Sequence, residues 1–317
     1  IYDCSFCDPS YNFPTSLSLN ASGSILAIGA TALPSDNCGT FIIYDIGNLQ
    51  TGSSPPIIGQ IDNPSPQFGK SIAINNNATY DNVSSNAITQ DAALQDLSFS
   101  SDGTKMYICG RNNDTVYQYT LSTAWNVSTA LYANKSYYIG GQESDLSDIF
   151  FKADGSKFYI IGYVSDQVHQ YSLSTAWDIT TASLDSDTNG VFSEEGSARG
   201  VTFKPDGTKF YIVGPSGYVH EYSMTTAWDI STNSFSGDEV SLNGEVGGTY
   251  NTVTDIAFNS NGTIMYAVGL GNYFGSWDLS TAYDITTASF NSKFSVPSST
   301  QGITFKDDYT KVYFIDS

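Results

Sequence analysis

Charge is scarce in this sequence, and basic charge is the scarcest. Charged residues make up 14% of the 317 residues, and 12 basic residues stand against 32 acidic ones, for a net charge of −20. Ordinary soluble domains have about 25% charged residues, whereas Ser, Thr, Asn and Tyr supply the polar surface here, as in extracellular proteins. The negative charge disfavours nucleic acid and anionic membranes and favours cations or neutral glycans, although solubility alone is the simpler explanation.

Long apolar runs and catalytic motifs are also lacking. No segment approaches the roughly 20 apolar residues that span a bilayer, so we expect no membrane insertion. Nothing resembles a G-x-S-x-G elbow, a phosphate-binding glycine loop or an H-E-x-x-H zinc helix. The two histidines, His169 and His220, occupy matching positions in two repeat copies, which indicates a role on the repeat surface. We therefore expect that the chain is not an enzyme and has no catalytic residues.

The sequence does contain an internal repeat. Residues 148–183 read DIFFKADGSKFYIIGYVSDQVHQYSLSTAWDITTAS, and close copies occupy 96–130, 200–235 and 255–290, with a shorter copy at 302–317. The steps between corresponding apolar residues are 52, 52, 55 and 47 residues. Such a period is typical of solenoids, arrays and propellers.

Each regular copy predicts four short antiparallel strands. Residues 97–99 alternate apolar and polar side chains, as a strand with one buried face does, and Asp102 and Gly103 form a hairpin-turn dipeptide. Further strands are indicated at 106–109, around 116–121 and after the STAW segment. Four such strands in about fifty residues describe one blade of an all-β propeller.

The apolar residues that mark each first strand predict the number of blades. They are Leu17, Ile72, Leu97, Ile149, Val201, Ile256 and Ile303. Seven markers predict a single seven-bladed β-propeller over residues 15–317. The step from Ile72 to Leu97 is only 25 residues, so six blades plus an insertion is the alternative.

The last copy, 302–317, predicts only two strands, and a half blade would expose an unpaired edge. Residues 1–14 belong to no repeat and are a candidate closing or donor strand. They would pair with the half blade of the same chain, or with that of another copy by strand addition. The first arrangement closes a ring, whereas the second builds a filament.

The repeat wording F-x-x-DG-x-K-x-Y, continued by V-x-x-Y-x-LSTAWD, resembles β-propeller repeats of the lactonase-like and WD-type class. It is also similar to repeats in secreted bacterial and phage virion surface proteins. The stretch GATALPSDNCGTFIIYDIG, followed by QIDNPSPQFGKSIAI, resembles FG-GAP propeller repeats without their full acidic loop. The resemblance implies a propeller fold but says little about function, because propellers include enzymes, scaffolds and adhesins.

The four cysteines fall into two groups. Cys109 stands where the sister copies have isoleucine or valine, so we predict a buried core residue. For Cys4, Cys7 and Cys38 we favour one structural disulfide, from Cys4 or Cys7 to Cys38, over zinc or redox chemistry, because no fourth ligand is evident. A disulfide would imply an oxidising compartment.

One stretch has the oxygen pattern of a calcium loop. Asp185, Asp187 and Asn189 alternate and precede a glycine, with Glu194 and Glu195 downstream. Alternating oxygens before a glycine wrap Ca²⁺ in EF-hand loops, but a glycine occupies the twelfth position, where a bidentate glutamate belongs. Calcium is the only cofactor that the sequence suggests, and an acidic solvated loop is the alternative.

Other acidic residues are predicted in the connections between blades: Glu143, Asp145, Asp148, Asp238, Glu239 and Glu245. Such connections share one face of a propeller, so we expect that face to bind divalent cations or a partner. The aromatic residues of the STAW and STAY segments are Trp125, Trp177, Trp228 and Tyr283. They would suit sugar stacking, but their repeated position favours packing between blades.

Seven N-x-S/T sequons are candidate glycosylation sites, although chance alone would give a similar number. They are Asn20, Asn77, Asn82, Asn113, Asn126, Asn134 and Asn261.

Together these features predict a non-enzymatic structural or adhesive protein, secreted or part of a fibre or virion, whose partners are copies of itself. A glycan- or receptor-binding propeller module is the alternative. A calcium-dependent propeller hydrolase or lactonase is a third possibility, for which no cluster of acids at the channel mouth can be assembled from the sequence.

Overall fold

The computed structural model divides the chain into two units, which are described separately. The first comprises residues 1–68 and 72–84, and the second comprises residues 69–71 and 85–317. The described residues are four strands between 16 and 60, residue 88, and residues 90–316 except 166, 188–193, 244, 247–251, 297–299 and 310. Predictions for the following residues lie outside this set: 1–14, Cys4, Cys7, Cys38, Asn20, Asn77, Asn82 and Asn189.

The first unit contains one antiparallel sheet of four strands in chain order. Strands β1 to β4 span Ser16–Leu19, Ile25–Ala30, Thr40–Asp45 and Ile57–Gln60. This sheet confirms a blade in the divergent copy that begins near residue 15.

The second unit contains four complete four-stranded antiparallel sheets and one two-stranded sheet, each in chain order. The first blade consists of β5 to β8, at Leu94–Phe99, Lys105–Gly110, Thr115–Leu121 and Ala130–Tyr138. The second consists of β9 to β12, at Leu146–Phe151, Lys157–Gly162, His169–Leu173 and Ala182–Asp187. The third consists of β13 to β16, at Gly200–Phe203, Lys209–Val213, Tyr218–Met224 and Asn233–Ser241. The fourth consists of β17 to β20, at Val253–Phe258, Ile264–Gly269, Tyr273–Leu279 and Ala288–Ser295, and the two-stranded sheet consists of β21 and β22, at Thr300–Phe305 and Val312–Asp316.

The helices among the described residues include short 3-10 turns between the third and fourth strands of each complete blade. They lie at Val127–Thr129, Ile179–Thr181, Ile230–Thr232 and Ile285–Thr287. An Asn or Asp side chain caps each of them, as Asp178 does by accepting the N–H of Thr180. In the described part of the chain, no helix has the length and apolarity to cross a membrane.

The five sheets of the second unit close into a ring. The first strands β5, β9, β13, β17 and β21 contact one another in that order, and β21 also contacts β5. Tyr313 and Ile315 of β22 belong to the same buried cluster as Leu97 and Phe99 of β5. The prediction of an all-β propeller with four-stranded antiparallel blades is therefore confirmed.

One aromatic contact repeats at every interface of this ring. A tyrosine on the second strand of each sheet packs against a phenylalanine on the first strand of the next, with ring centroids 4.2 to 4.8 Å apart. The pairs are Tyr107 with Phe151, Tyr159 with Phe203, Tyr211 with Phe258, Tyr266 with Phe305, and Tyr313 with Phe99. Tyr313 and Phe99 make this contact across the closure of the ring.

Candidate axial site and channel

In each complete blade the turn glycine packs against the aromatic residue of the STAW segment, or of the STAY segment in the fourth blade. Gly155 has a φ of +71°, and a Cβ there would lie 2.3 Å from the Trp177 ring. The N–H of Trp177 donates to Gly155 O at 3.0 Å, and Tyr107 of the preceding blade donates its hydroxyl to Trp177 O at 2.6 Å. The interpretation of these aromatics as packing groups is confirmed by those contacts.

A cavity of about 450 Å³ opens between the first strands at the end of the ring where these turns lie. All five first strands contribute to its wall, together with Trp125, Trp177, Trp228 and Tyr283. It follows the ring axis, because the first strands are the strands that surround that axis. Its lining includes three aspartates, which form the candidate site.

The three aspartates occupy one repeat position, immediately before the apolar marker of the first strand. They are Asp96 on β5, Asp148 on β9 and Asp255 on β17; Gly200 and Gly302 occupy the position on β13 and β21. All three carboxyl groups are buried, with exposed fractions of 3 to 4%. One oxygen from each lies within 4.8 Å of the others. We call these residues the axial triad.

Each carboxyl group of the axial triad binds the backbone of the next blade. Asp148 Oδ2 accepts the N–H of Val201 at 2.5 Å, and Asp255 Oδ2 accepts the N–H of Ile303 at 2.7 Å. Asp96 Oδ2 accepts the N–H of Ile149 at 3.3 Å. The triad therefore links neighbouring first strands of the ring.

Burial is the first cause of raised pKa values in the axial triad. It raises the pKa of Asp96 well above its usual value, and the charge of Asp148, a hydrogen bond with the Asp148 carboxylate and the charge of Asp255 add to the effect. Burial and the charge of Asp148 likewise raise the pKa of Asp255. Burial raises the pKa of Asp148 too, against the opposing effect of its hydrogen bonds. The site thus disfavours three ionised carboxylates unless a positive charge is supplied.

The predicted calcium stretch begins on a strand. Asp185 and Asp187 belong to β12, where Asp187 pairs with His169 of β11. The Asp185 carboxylate accepts Lys157 Nζ at 2.6 Å and Gln170 Nε2 at 3.1 Å. A lysine therefore already neutralises this acid.

The downstream glutamates have partners of their own. Glu194 accepts the hydroxyl of Tyr222 at 3.1 Å. Glu195 is buried and accepts the N–H of Ser216 at 3.1 Å. Because Asn189 lies outside the described residues, calcium binding by this stretch stays a prediction.

Several acids that were predicted in the connections between blades lie elsewhere. Asp238 and Glu239 belong to β16. Asp148 lies within β9 and faces the axial cavity, not a connection between blades. Glu143 is buried, and it accepts the backbone N–H of Ser165 at 3.0 Å and the Ser165 hydroxyl at 2.7 Å. A buried carboxylate needs hydrogen-bond donors, and Ser165 supplies them here. Glu143 therefore stabilises a hairpin turn of its own blade.

The two histidines are buried, with 2% and 3% exposure, so the predicted surface role is wrong. His169 Nε2 lies 3.0 Å from Ser165 Oγ, and His220 Nε2 lies 3.4 Å from Ser216 Oγ. Each serine hydroxyl donates directly to a glutamate, Glu143 or Glu195. A hydrolytic triad needs a serine that donates to the histidine, with an acid on the other ring nitrogen. Glu239 Oε2 does lie 3.4 Å from His220 Nδ1, but the Ser216 hydroxyl donates to Glu195 and not to His220.

Four of the sequons fall on described residues. Asn126 accepts the N–H of Ser128 at 3.1 Å and caps a 3-10 turn, and Asn261 accepts the N–H of Thr263 at 3.1 Å. Asn113 and Asn134 are exposed. Their glycosylation stays a prediction. Cys109 is fully buried, as predicted.

No protein-family model and no curated protein matches the sequence. Solved structures share the propeller fold. The periplasmic gluconolactonase PpgL of Pseudomonas aeruginosa aligns with 91% of this chain and 72% of its own at 13% identity, with a TM-score of 0.43. A Bacteroides uniformis protein provisionally assigned as a 6-phosphogluconolactonase aligns with 89% of this chain and 85% of its own at 12% identity, with a TM-score of 0.48. The resemblance to lactonase-type propellers is one of fold, and at this identity it carries no functional argument.

Proposed function

We propose that this chain is a non-enzymatic structural or adhesive surface protein that assembles with copies of itself by strand addition. The observation that carries the proposal is the two-stranded sheet β21–β22, in a ring whose other four sheets have four strands each. Among the described strands, β22 pairs with β21 alone, so its second edge presents backbone groups. A strand from a second copy would extend this sheet and join one ring to the next.

The register indicates which groups face that edge. Lys306 donates its backbone N–H to Lys311 O at 3.0 Å, and the next pair along the ladder is Phe305 with Val312. Hydrogen-bonded and non-hydrogen-bonded pairs alternate in an antiparallel ladder. The N–H of Val312 therefore points away from β21, towards the position of a third strand.

Two substitutions at Val312 test the proposal. Val312→Pro removes the outward N–H and leaves the ladder with β21 intact, because proline is tolerated on a strand edge. Val312→Ala is the matched control, since it also removes side-chain volume but keeps the N–H. We expect electron microscopy to show filaments for the unmodified chain and for Val312→Ala, and dispersed particles for Val312→Pro.

Two results would contradict this proposal. Dispersed particles from the unmodified chain would show that copies do not join through this edge. Filaments of unchanged length from Val312→Pro would show that assembly uses another surface. Circular dichroism of each variant checks that the propeller remains folded.

The proposed donor is the 1–14 segment, and the proposed location is extracellular or surface-exposed, where Cys4 or Cys7 would pair with Cys38. The predicted count of seven blades also stays a proposal. Within the second unit the direct contact of β21 with β5 counts against it, because it leaves no space for further blades between them.

A glycan-binding module is the second candidate function. It is favoured by one observation, the aromatic residues of the STAW and STAY segments around the axial cavity. Aromatic faces stack on sugars, and the cavity volume of about 450 Å³ suits a small ligand. Binding on a glycan array that is lost in Trp177→Ala and retained in Val312→Pro would favour this function over assembly.

A further inference from the structure

We propose that the axial triad of Asp96, Asp148 and Asp255 binds one calcium ion at the base of the axial channel. The inference is independent of strand addition. The three carboxylate oxygens that lie within 4.8 Å of one another can share one ion, because Ca–O distances of about 2.3–2.6 Å place ligand oxygens up to about 5 Å apart. Mg²⁺ needs shorter distances and stricter octahedral geometry, so calcium fits the spacing better.

An oxygen atom that lacks a hydrogen-bond donor supports the proposal independently. Asp96 is 3% exposed, and its Oδ1 accepts no hydrogen bond from the described residues. This atom points towards the axial position of β21, because a Cβ on Gly302 would lie 2.1 Å from it. Gly302 therefore leaves room for a carboxylate oxygen that no donor among the described residues satisfies. A buried carboxylate oxygen without a donor is costly, and a cation would remove that cost.

The lack of a basic partner for the axial triad among the described residues also favours a bound cation. None of the ion pairs between described residues includes a member of the axial triad. Buried charges are usually paired or coordinate metals. The backbone N–H groups of Ile149, Val201 and Ile303 stabilise one oxygen of each carboxylate but supply no full positive charge. A divalent ion would supply it.

The channel gives the ion a route and space for further ligands. All three aspartates line the cavity that opens at the turn end of the ring. Calcium takes about 6–8 oxygen ligands, so water molecules in the channel would complete the three carboxylates. Glycines at the two remaining axial positions, Gly200 and Gly302, offer no side-chain ligands.

The test compares thermal unfolding of the full chain in a chelator and in calcium chloride. At a calcium concentration about a hundredfold above Kd we expect the Tm of the unmodified chain to rise by about 5 °C. Asp148→Asn removes the central charge and keeps an oxygen for Val201, so its Tm should not respond to calcium. Asp102→Asn, the same substitution at an exposed turn, is the matched control and should respond as the unmodified chain does.

An unmodified chain whose Tm ignores calcium would overturn the proposal, because the triad would then be neutralised by protons alone. A calcium response in Asp148→Asn equal to that of the unmodified chain would also overturn it. So would loss of the response in Asp185→Asn alone, which would place the ion at β12. Asp96→Asn provides a second variant if Asp148→Asn does not fold.

Discussion

Tyr159 and Asp148 lie on adjacent strands of one blade but repeat differently around the ring. The position of Tyr159 is a tyrosine in all five sheets, and each packs on a phenylalanine of the next sheet. The position of Asp148 is an aspartate in three sheets and a glycine in two. The contact between neighbouring sheets therefore repeats uniformly, whereas the residue at the axial position does not.

The uniform tyrosine position packs neighbouring sheets together, whereas the non-uniform aspartate position forms the candidate site. Where the repeat is uniform, hydrogen bonds are made within the protein, as when Tyr159 donates to Trp228 O at 3.0 Å. Where the repeat is broken, acids converge and Asp96 Oδ1 is left without a donor in the described part of the chain. Aspartates at all five axial positions would crowd the axis, and the two glycines leave space there.

The largest expected effect is at the interface. Tyr159 is fully buried and packs against Phe203, with ring centroids 4.2 Å apart. We expect Tyr159→Ala to lower the free energy of unfolding by about 3–5 kcal/mol, measured by urea denaturation. Tyr159→Phe removes only the hydroxyl bond to Trp228 O and should cost about 1 kcal/mol. Equal losses in the two variants would contradict the packing account.

The next effect is at the turn that holds Trp177. Gly155→Ala adds a Cβ at a φ of +71° and within 2.3 Å of the Trp177 ring, so we expect a loss of about 1–3 kcal/mol or more. Gly237→Ala is the control, because Gly237 has a φ of +88° but no atom within 4 Å of the added Cβ. Gly155→Ala should be the more destabilising in thermal melts. Equal losses in the two variants would show that the contact with the Trp177 side chain contributes nothing to the cost at this turn.

At the axis we expect a substitution to raise the free energy of unfolding. In a chelator, Asp148→Asn removes the charge that raises the pKa of both Asp96 and Asp255. We therefore expect the variant to be more stable than the unmodified chain by about 1 kcal/mol at neutral pH. Urea unfolding in the presence of a chelator measures this. A marked loss of stability would indicate that the Asp148 carboxylate acts only as a backbone linker.

The smallest effect is at an exposed turn. Hydrogen bonds from Ser100 and Thr104 lower the pKa of Asp102 to about 2. A carboxyl group with a lowered pKa contributes stability above its unfolded-state value of about 3.9, and this contribution is lost as the pH falls through about 2. Asp102→Asn should change stability by less than about 0.5 kcal/mol, with a difference that vanishes towards pH 2. A difference that is constant with pH would contradict this pKa.

Local patterns predicted most of the blade. The alternation at 97–99 and the Asp102 turn identified strands and hairpins correctly, because both depend on neighbouring residues. The same patterns could not show that Tyr313 packs against Phe99, which lies more than two hundred residues away. Ring closure is a tertiary property, so the number of blades in the ring was not deducible from the count of markers.

The axial triad was visible in the aligned copies but not recognisable as a site. Asp96, Asp148 and Asp255 each precede the apolar marker of their copy, yet an aspartate before a strand normally reads as part of a connection. Only the ring brings these side chains together at the axis. His169 was misplaced for a related reason, since a polar residue on a strand was taken as exposed when a serine of the adjacent turn contacts it.

The amount of calcium bound per chain tests the axial account most directly. The unmodified chain and Asp148→Asn are equilibrated with the same calcium concentration, separated from free ion, and analysed by atomic absorption. The account predicts that the unmodified chain retains one calcium ion more than Asp148→Asn. Equal calcium in the two proteins would contradict it.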